Sequence, residues 1–371
     1  MNEIPLVNLK RQDKTLEKEI RTALDNTISS ANFILGPEIE KFEKDFAQFC
    51  GAKYCISLSS GTAALELALK HSGIKPGDEV ITVTNTFISN AEAIISIGAK
   101  PVFCDIDEQT FNIDTNKLND LVTKKTKAIM PVDLYGCPCD LDPIMELAAK
   151  HNLTVIEDGC QAHGAKYKGR KIGSISHATA FSFYPGKNMG AFGDAGALTT
   201  NNHELATEVR AISNHGRLHD EKYKHELVGN NYRMDEIQAA ILNVKLKYLQ
   251  GWIIDRQKVA SKYREFMQNP NIKHPHQPDH AQHAYHLYVI RTKERDRLRE
   301  YLKSRGIHTG VHYPIPLHLQ PALKFLGHKK GDFKVSEECA DTILSLPTFP
   351  ELREDEIKFV SNEINRFFNK K

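Results

Sequence analysis

Three short stretches carry residue types that could do chemistry. In Ser59-Ser60-Gly61-Thr62-Ala63-Ala64-Leu65 an apolar run gives way to a helical pattern. The N–H groups of Gly61 and Thr62 would then face outward at a helix N-terminus, where the dipole favours an anion. Ser and Thr at such a place are also plain N-caps. In Val155-Ile156-Glu157-Asp158-Gly159-Cys160-Gln161-Ala162-His163, Asp158 sits just past a buried apolar run, where open α/β sheets bind ligands. Its plainer reading is the N-cap of a short following helix. The third stretch, Ala178 to Ala197, runs through Ser182, Tyr184 and Lys187 among Gly186, Gly190, Gly193 and Gly196. Glycines this dense imply close backbone approach, so Lys187 is held on a tight turn. A lysine so held is a candidate Schiff-base nucleophile.

The elements needed to bring these stretches together are present. From about residue 50 to 200, short apolar runs at 54–58, 79–83, 101–104, 127–132 and 153–156 alternate with helical patterns at 62–71, 89–97 and 143–151. This βαβα rhythm predicts a mostly parallel sheet covered by helices. A long helix is expected from Met234 to Val259 or beyond, then strands near 286–291 and helices at 293–305 and 354–369. Pro270 to His283 reads as a loop. The expected division is 1–250, a large domain with an N-terminal helical segment, and 251–371, a smaller α+β domain. A phosphate for Gly61, Thr62 and Ser182, a carbonyl carbon for Lys187 and a ring nitrogen for Asp158 describe one ligand, pyridoxal phosphate. In this order of phosphate helix, aspartate and lysine the chain resembles the type I aminotransferase fold.

Composition narrows the class. The chain has 371 residues with 49 Lys+Arg against 47 Asp+Glu, a formal net charge of +2. That balance excludes a strongly basic nucleic-acid binder and a disordered tail protein. No run approaches the roughly 18 apolar residues of a membrane span. The start, Met1-Asn2-Glu3-Ile4-Pro5, lacks a leader pattern, so a cytoplasmic location is expected. Seven cysteines suit a reducing compartment. The close pair Cys137-Pro138-Cys139 has no His/Cys cluster at zinc spacing, so no metal is expected.

Beyond these stretches the sequence carries Gly36-Pro37-Glu38 with Phe42-Glu43, Asn85-Thr86-Phe87-Ile88, Gln161-Ala162-His163-Gly164-Ala165 and Gly229-Asn230-Asn231-Tyr232-Arg233-Met234. In this order the motifs resemble the DegT/DnrJ/EryC1/StrS family of pyridoxal-phosphate sugar aminotransferases over nearly the whole chain. The resemblance implies an aspartate-aminotransferase-like fold with Lys187 bonded to the cofactor and Asp158 at the pyridine nitrogen. It also implies Phe87 stacked on the ring, Gln161 near the phenolic oxygen, and Gly61, Thr62 and Ser182 at the phosphate. Phe87 alone would more often be core. Asn231 matches an asparagine that reaches the neighbouring subunit's cofactor, which implies a homodimer with active sites at its interface. His163 and Arg233 are expected in supporting roles.

The resemblance further implies L-glutamate as amino donor and a nucleotide-linked ketosugar as acceptor. Tyr184-Pro185-Gly186-Lys187-Asn188 and the stretch Gly310 to Pro321 are similar to the branch acting on dTDP-3-keto-6-deoxyhexoses, of galacto or gluco configuration. Tyr184, His312, Tyr313 and His318 would meet the sugar or its phosphates, although the histidines could merely decorate a proline-stiffened loop. A C-4 aminotransferase and a sugar dehydratase on the same scaffold are the alternatives. Lys187 counts against dehydratases that carry His there, and intact lysine, aspartate and aromatic positions count against a non-catalytic regulator.

Overall fold

The computed structural model describes residues 3–218 and 223–369. The start, read as lacking a leader pattern, lies outside these residues at Met1 and Asn2, as do the outer ends of the two expected domains. Two N-terminal helices come first, α1 (Leu9–Ser30) and α2 (Pro37–Cys50). Pro37 opens α2 with its fixed φ, and Gly51 closes it at φ 75°. The N–H groups of Gly36 and Glu38 donate to the buried carboxylate of Glu236, a negative group at a helix N-terminus.

The alternating region follows as β1 (Tyr54–Leu58), α3 (Gly61–His71), β2 (Glu79–Val83), α4 (Ser89–Ser96) and β3 (Lys100–Cys104). It continues with α5 (Leu118–Leu121), β4 (Thr126–Ile129), α6 (Leu141–His151) and β5 (Thr154–Asp158). A short hairpin, β6 (Lys166–Tyr167) and β7 (Arg170–Lys171), precedes β8 (Ala178–Ser182), β9 (Gly196–Thr200) and α7 (His203–Ser213). The seven-stranded sheet has the order β1-β9-β8-β5-β4-β2-β3. All its pairings are parallel except those of β9, which runs antiparallel to β1 and β8. This is the mostly parallel mixed sheet expected from the sequence. Every residue of β2 and β9 is buried, as a sheet covered on both faces requires.

One apolar cluster, with Phe42, Phe46, Phe181 and Phe183, packs beneath α2, α6 and α8 (Glu236–Phe266). Another, with Leu58, Leu65, Ala68 and Val80, packs beneath α3 and α7. β4 is shorter than the apolar run 127–132 suggests. Pro131 has no N–H to give a ladder, and only Val132 beyond it bridges to Asp158.

The C-terminal part contains β10 (Ala281–Gln282), β11 (Tyr288–Arg291), α9 (Arg295–Ser304), α10 (Lys334–Thr342), β12 (Ile343–Leu346) and α11 (Glu354–Asn369). A third apolar cluster joins β11, β12, α9, α11 and the end of α8. Ile4 also joins it and bridges Ile307, so the chain's first described residues pack with its last elements. The expected boundary at 250/251 falls inside α8, an unbroken helix of 31 residues. The expected loop 270–283 is largely irregular, but β10 at its end pairs with β6.

Candidate active site

The carboxyl ends of the parallel strands open on one edge of the sheet, and the candidate residues gather there. Asp158 ends β5 and is 6% exposed. Its Oδ1 accepts the Cys160 N–H at 3.0 Å. The helix that Asp158 could have capped is absent: residues 159–165 form turns, so the carboxylate caps a turn.

Lys187 lies on the turn after β8, where its N–H donates to the Tyr184 carbonyl at 2.8 Å. The buried Asn188 pins this turn through its side-chain N–H to the Ala284 carbonyl at 3.0 Å. Gly190 is required, because a Cβ there would lie 2.2 Å from the Pro185 carbonyl oxygen. Burial lowers the Lys187 ammonium below its ordinary range, opposed by the Cys160 thiol and Asp158. Among the described residues no hydrogen bond or ion pair holds the amine.

The N-terminus of α3 is capped by Ser60, whose Oγ accepts the Ala63 N–H at 3.1 Å. The plain N-cap reading is therefore correct for Ser60. It leaves the N–H groups of Gly61 and Thr62 without an acceptor among the described residues. Gly61 packs so closely that a Cβ would fall 2.6 Å from Cys160 Sγ and 3.0 Å from Ser182 Cβ. Helix, Ser182 and Cys160 thus form one small cradle.

Phe87, beyond the end of β2, is 52% exposed and is not core. Its ring centroid lies 5.8 Å from that of Tyr313. The Gln161 amide is fixed at both ends, with Oε1 accepting the Tyr135 N–H at 2.7 Å and Nε2 donating to Tyr313 Oη at 3.3 Å. Tyr135 was not singled out from sequence. It sits at φ 60° and donates its hydroxyl to the His312 carbonyl, and a tyrosine's use of a positive φ leaves no local sequence signal. Cys160 and Asn188 also went unremarked, although both lie inside motifs that were.

Of the residues expected at the sugar, Tyr184 is 59% exposed on the lysine turn. His312 and Tyr313 are part-buried, and His312 Nδ1 meets Ser345 Oγ at 2.9 Å. Burial, then the charge of Lys187, lowers His312 to about 4, while burial raises Tyr313. His318 departs from expectation. It is buried, with Nε2 at 2.9 Å from Glu337 and its ring against Phe333, so packing rather than sugar contact accounts for it.

His163 is buried between Phe181 and Phe183, and Arg233 donates to Asn214 Oδ1 at 2.9 Å, both supporting positions. Asn231 is exposed on an extended segment that bridges Asn214 and reaches Ser59 through the Tyr232 carbonyl.

This donor set fits pyridoxal phosphate. An unpaired, buried-side lysine, a strand-end carboxylate and an anion cradle too tight for a Cβ share one sheet edge. Among the described residues no group of three or more side chains is arranged to hold a metal, and no helix is long and apolar enough to cross a membrane.

The chain is 44% identical over 368 residues to a Geobacillus stearothermophilus protein named pleiotropic regulatory protein, covering 98% of each. It is 43% identical to dTDP-3-amino-3,6-dideoxy-alpha-D-galactopyranose transaminase of Aneurinibacillus thermoaerophilus, covering 98% of this chain and 99% of that one. Among solved structures, Streptomyces venezuelae DesV aligns with a TM-score of 0.97 at 39% identity, covering 99% of both chains. NtdA of Bacillus subtilis, with bound cofactor PMP, aligns with a TM-score of 0.90 at 31% identity, covering 99% and 86%. Residues 14–365 match the sequence profile of the family that the motifs resemble. The chain belongs to the DegT/DnrJ/EryC1/StrS aminotransferase family and is a pyridoxal-phosphate-dependent sugar aminotransferase.

Proposed function

We propose that this enzyme transfers the amino group of L-glutamate to a dTDP-linked 3-keto-6-deoxyhexose, giving a dTDP-3-amino-3,6-dideoxyhexose and 2-oxoglutarate. The observation that carries the reading is the convergence of Lys187, Asp158 and the Gly61–Ser182 cradle beside the exposed Tyr184. The 43% identical relative named for a dTDP-3-amino-3,6-dideoxy sugar supports the choice of acceptor.

When bound, pyridoxal phosphate supplies a carbonyl that exchanges with amines and a ring that accepts the electron pair left by a broken C–H bond. The N–H groups of Gly61 and Thr62 and the Ser182 hydroxyl would hold its phosphate. Asp158 would keep a proton at the ring nitrogen, and Phe87 would cover the ring and exclude water. Gln161, oriented by Tyr135, would serve the phenolic oxygen. Lys187 Nζ, made easier to deprotonate by burial, would take the proton from the donor's α-carbon and, in the half-reaction on the sugar, would deliver a proton to C3 of the acceptor. Tyr184, His312 and Tyr313 offer neutral donors to the sugar.

Homodimerisation completes the reading. Phe33, Ile34, Leu35, Phe192 and Val228 leave apolar surface exposed, and Asn231 is free to reach a second subunit's phosphate.

The test is incubation with glutamate and paired 3-keto and 4-keto dTDP-sugars. A UDP-linked 3-keto sugar serves as comparator, since a Pseudomonas aeruginosa relative is named for such a substrate. Amination of the dTDP-3-keto sugar is expected, with specific activity falling as dilution dissociates the dimer. Amination of only the 4-keto compound contradicts the acceptor, and full activity in a sedimenting monomer contradicts the shared site.

A further inference from the structure

Immediately behind Asp158 lie two carboxyl groups that the reaction above does not use. Asp133 follows Pro131 and Val132 past the end of β4, and Glu157 precedes Asp158 on β5. Both residues are fully buried. Among the described residues neither has a Lys, Arg or His in ion-pair contact.

Their hydrogen bonds leave one oxygen of each unanswered. Asp133 Oδ1 accepts the Cys139 N–H at 2.8 Å. Glu157 Oε2 accepts the hydroxyls of Ser176 and Thr179, both at 2.8 Å. Among the described residues Asp133 Oδ2 and Glu157 Oε1 are both buried with no donor, and the two side chains lie within hydrogen-bonding reach of each other. Two bare carboxylate oxygens facing each other away from water and cations repel, whereas one proton between them satisfies both.

We propose that Asp133 and Glu157 share a single proton and act as a positioning pair for Asp158 and Gln161. The proton resides on Asp133 Oδ2 and is donated to Glu157 Oε1. Glu157 is the better place for the charge, because two hydroxyls already donate to it. Burial raises Asp133 well above the carboxylate range, and the neighbouring Glu157 adds to the shift. Asp158 and the thiols of Cys50, Cys137, Cys139 and Cys160 also face the pair, and none of these supplies a positive charge.

The placement explains what the pair does. The Asp133 N–H donates to the Asp158 carbonyl at 3.0 Å, and the Asp158 N–H donates to the Pro131 carbonyl at 2.9 Å. Two residues further on, Tyr135 holds the Gln161 amide. A proton bridge at the root of this turn fixes two cofactor-facing groups together. It also leaves one negative charge behind Asp158, which favours keeping a proton at the ring nitrogen.

Infrared difference spectra of the holoenzyme at pH 8, wild type minus D133N, test the bridge without any sugar substrate. A protonated-carboxyl carbonyl stretch is expected in the wild type and its loss in D133N, whose amide can donate to Glu157 in the proton's place. E157Q is expected to lose the band too, since Asp133 then ionises against the Gln amide, and it serves if D133N fails to fold. Absence of the band in the wild type, or its persistence in both variants, overturns the shared proton. The pH profile of the cofactor's absorbance tests the positioning role. D133N should keep the wild-type profile, while D133N/E157Q, which has no charge left, should shift it toward lower pH. An unshifted double variant overturns any action of the pair on Asp158.

Discussion

Lys187 stands among imidazoles that burial keeps neutral. Burial first, and the charge of Lys187 second, lowers His163 to about 3 and His312 to about 4. Burial and then Arg264 lowers His283 to about 3. Each folded-state value lies below the unfolded value, so the unfolded chain binds more protons once the pH drops below about 6.5. Stability is therefore complete above that pH and is lost as pH falls toward the folded values. Each such imidazole contributes a slope of up to about 1.4 kcal/mol per pH unit within its window. Urea unfolding of the apoenzyme between pH 7 and 5 should show this fall, and His283→Asn should reduce the slope by about one imidazole's share. An unchanged slope in the variant contradicts the neutral assignment. At this scale Lys187 and Asp158 were legible, because their residue types and strand-end placement announce chemistry. Tyr135 and Asp133 were not, since one depends on a positive φ and the other on a carboxyl partner distant in sequence.

The elements matter through how closely they approach. The N-terminus of α3 reaches Ser182 and Cys160 only because residue 61 lacks a Cβ. Gly61→Ala should cost about 1–3 kcal/mol of stability by overpacking and should weaken cofactor binding. Removing the Cys160 sulfur in the G61A/C160A double variant should recover part of both losses. Urea unfolding and cofactor titration measure them, and wild-type affinity in G61A would falsify the cradle. The strands at 54–58 and 79–83 were legible to the residue, because a parallel sheet covered on both faces makes short, continuous apolar runs. Strand direction is not written in such runs, so the antiparallel β9 was not. The shortening of β4 follows from Pro131, a local signal that the apolar count alone overrides.

For the whole molecule, the near balance of charge, with net +2, left the anionic partners unexplained. On the proposed reading they are met locally, by the N–H groups of Gly61 and Thr62 at the start of α3, the Ser182 hydroxyl and Lys187 at a shared sheet edge. The fold class was legible because the βαβα rhythm and the ordered motifs agree. The division into parts was less so, since α8 runs through the expected boundary and Ile4 packs with the C-terminal cluster. Long-range packing of this kind has no periodic signature. On the proposed reading all of the chemistry rests on one lysine, Lys187, carrying the cofactor. Borohydride reduction of the cofactor-loaded enzyme, followed by peptide mass mapping, reads that directly. A single pyridoxyl adduct on Lys187 is the expected result, and no adduct, or an adduct on another lysine, contradicts the account.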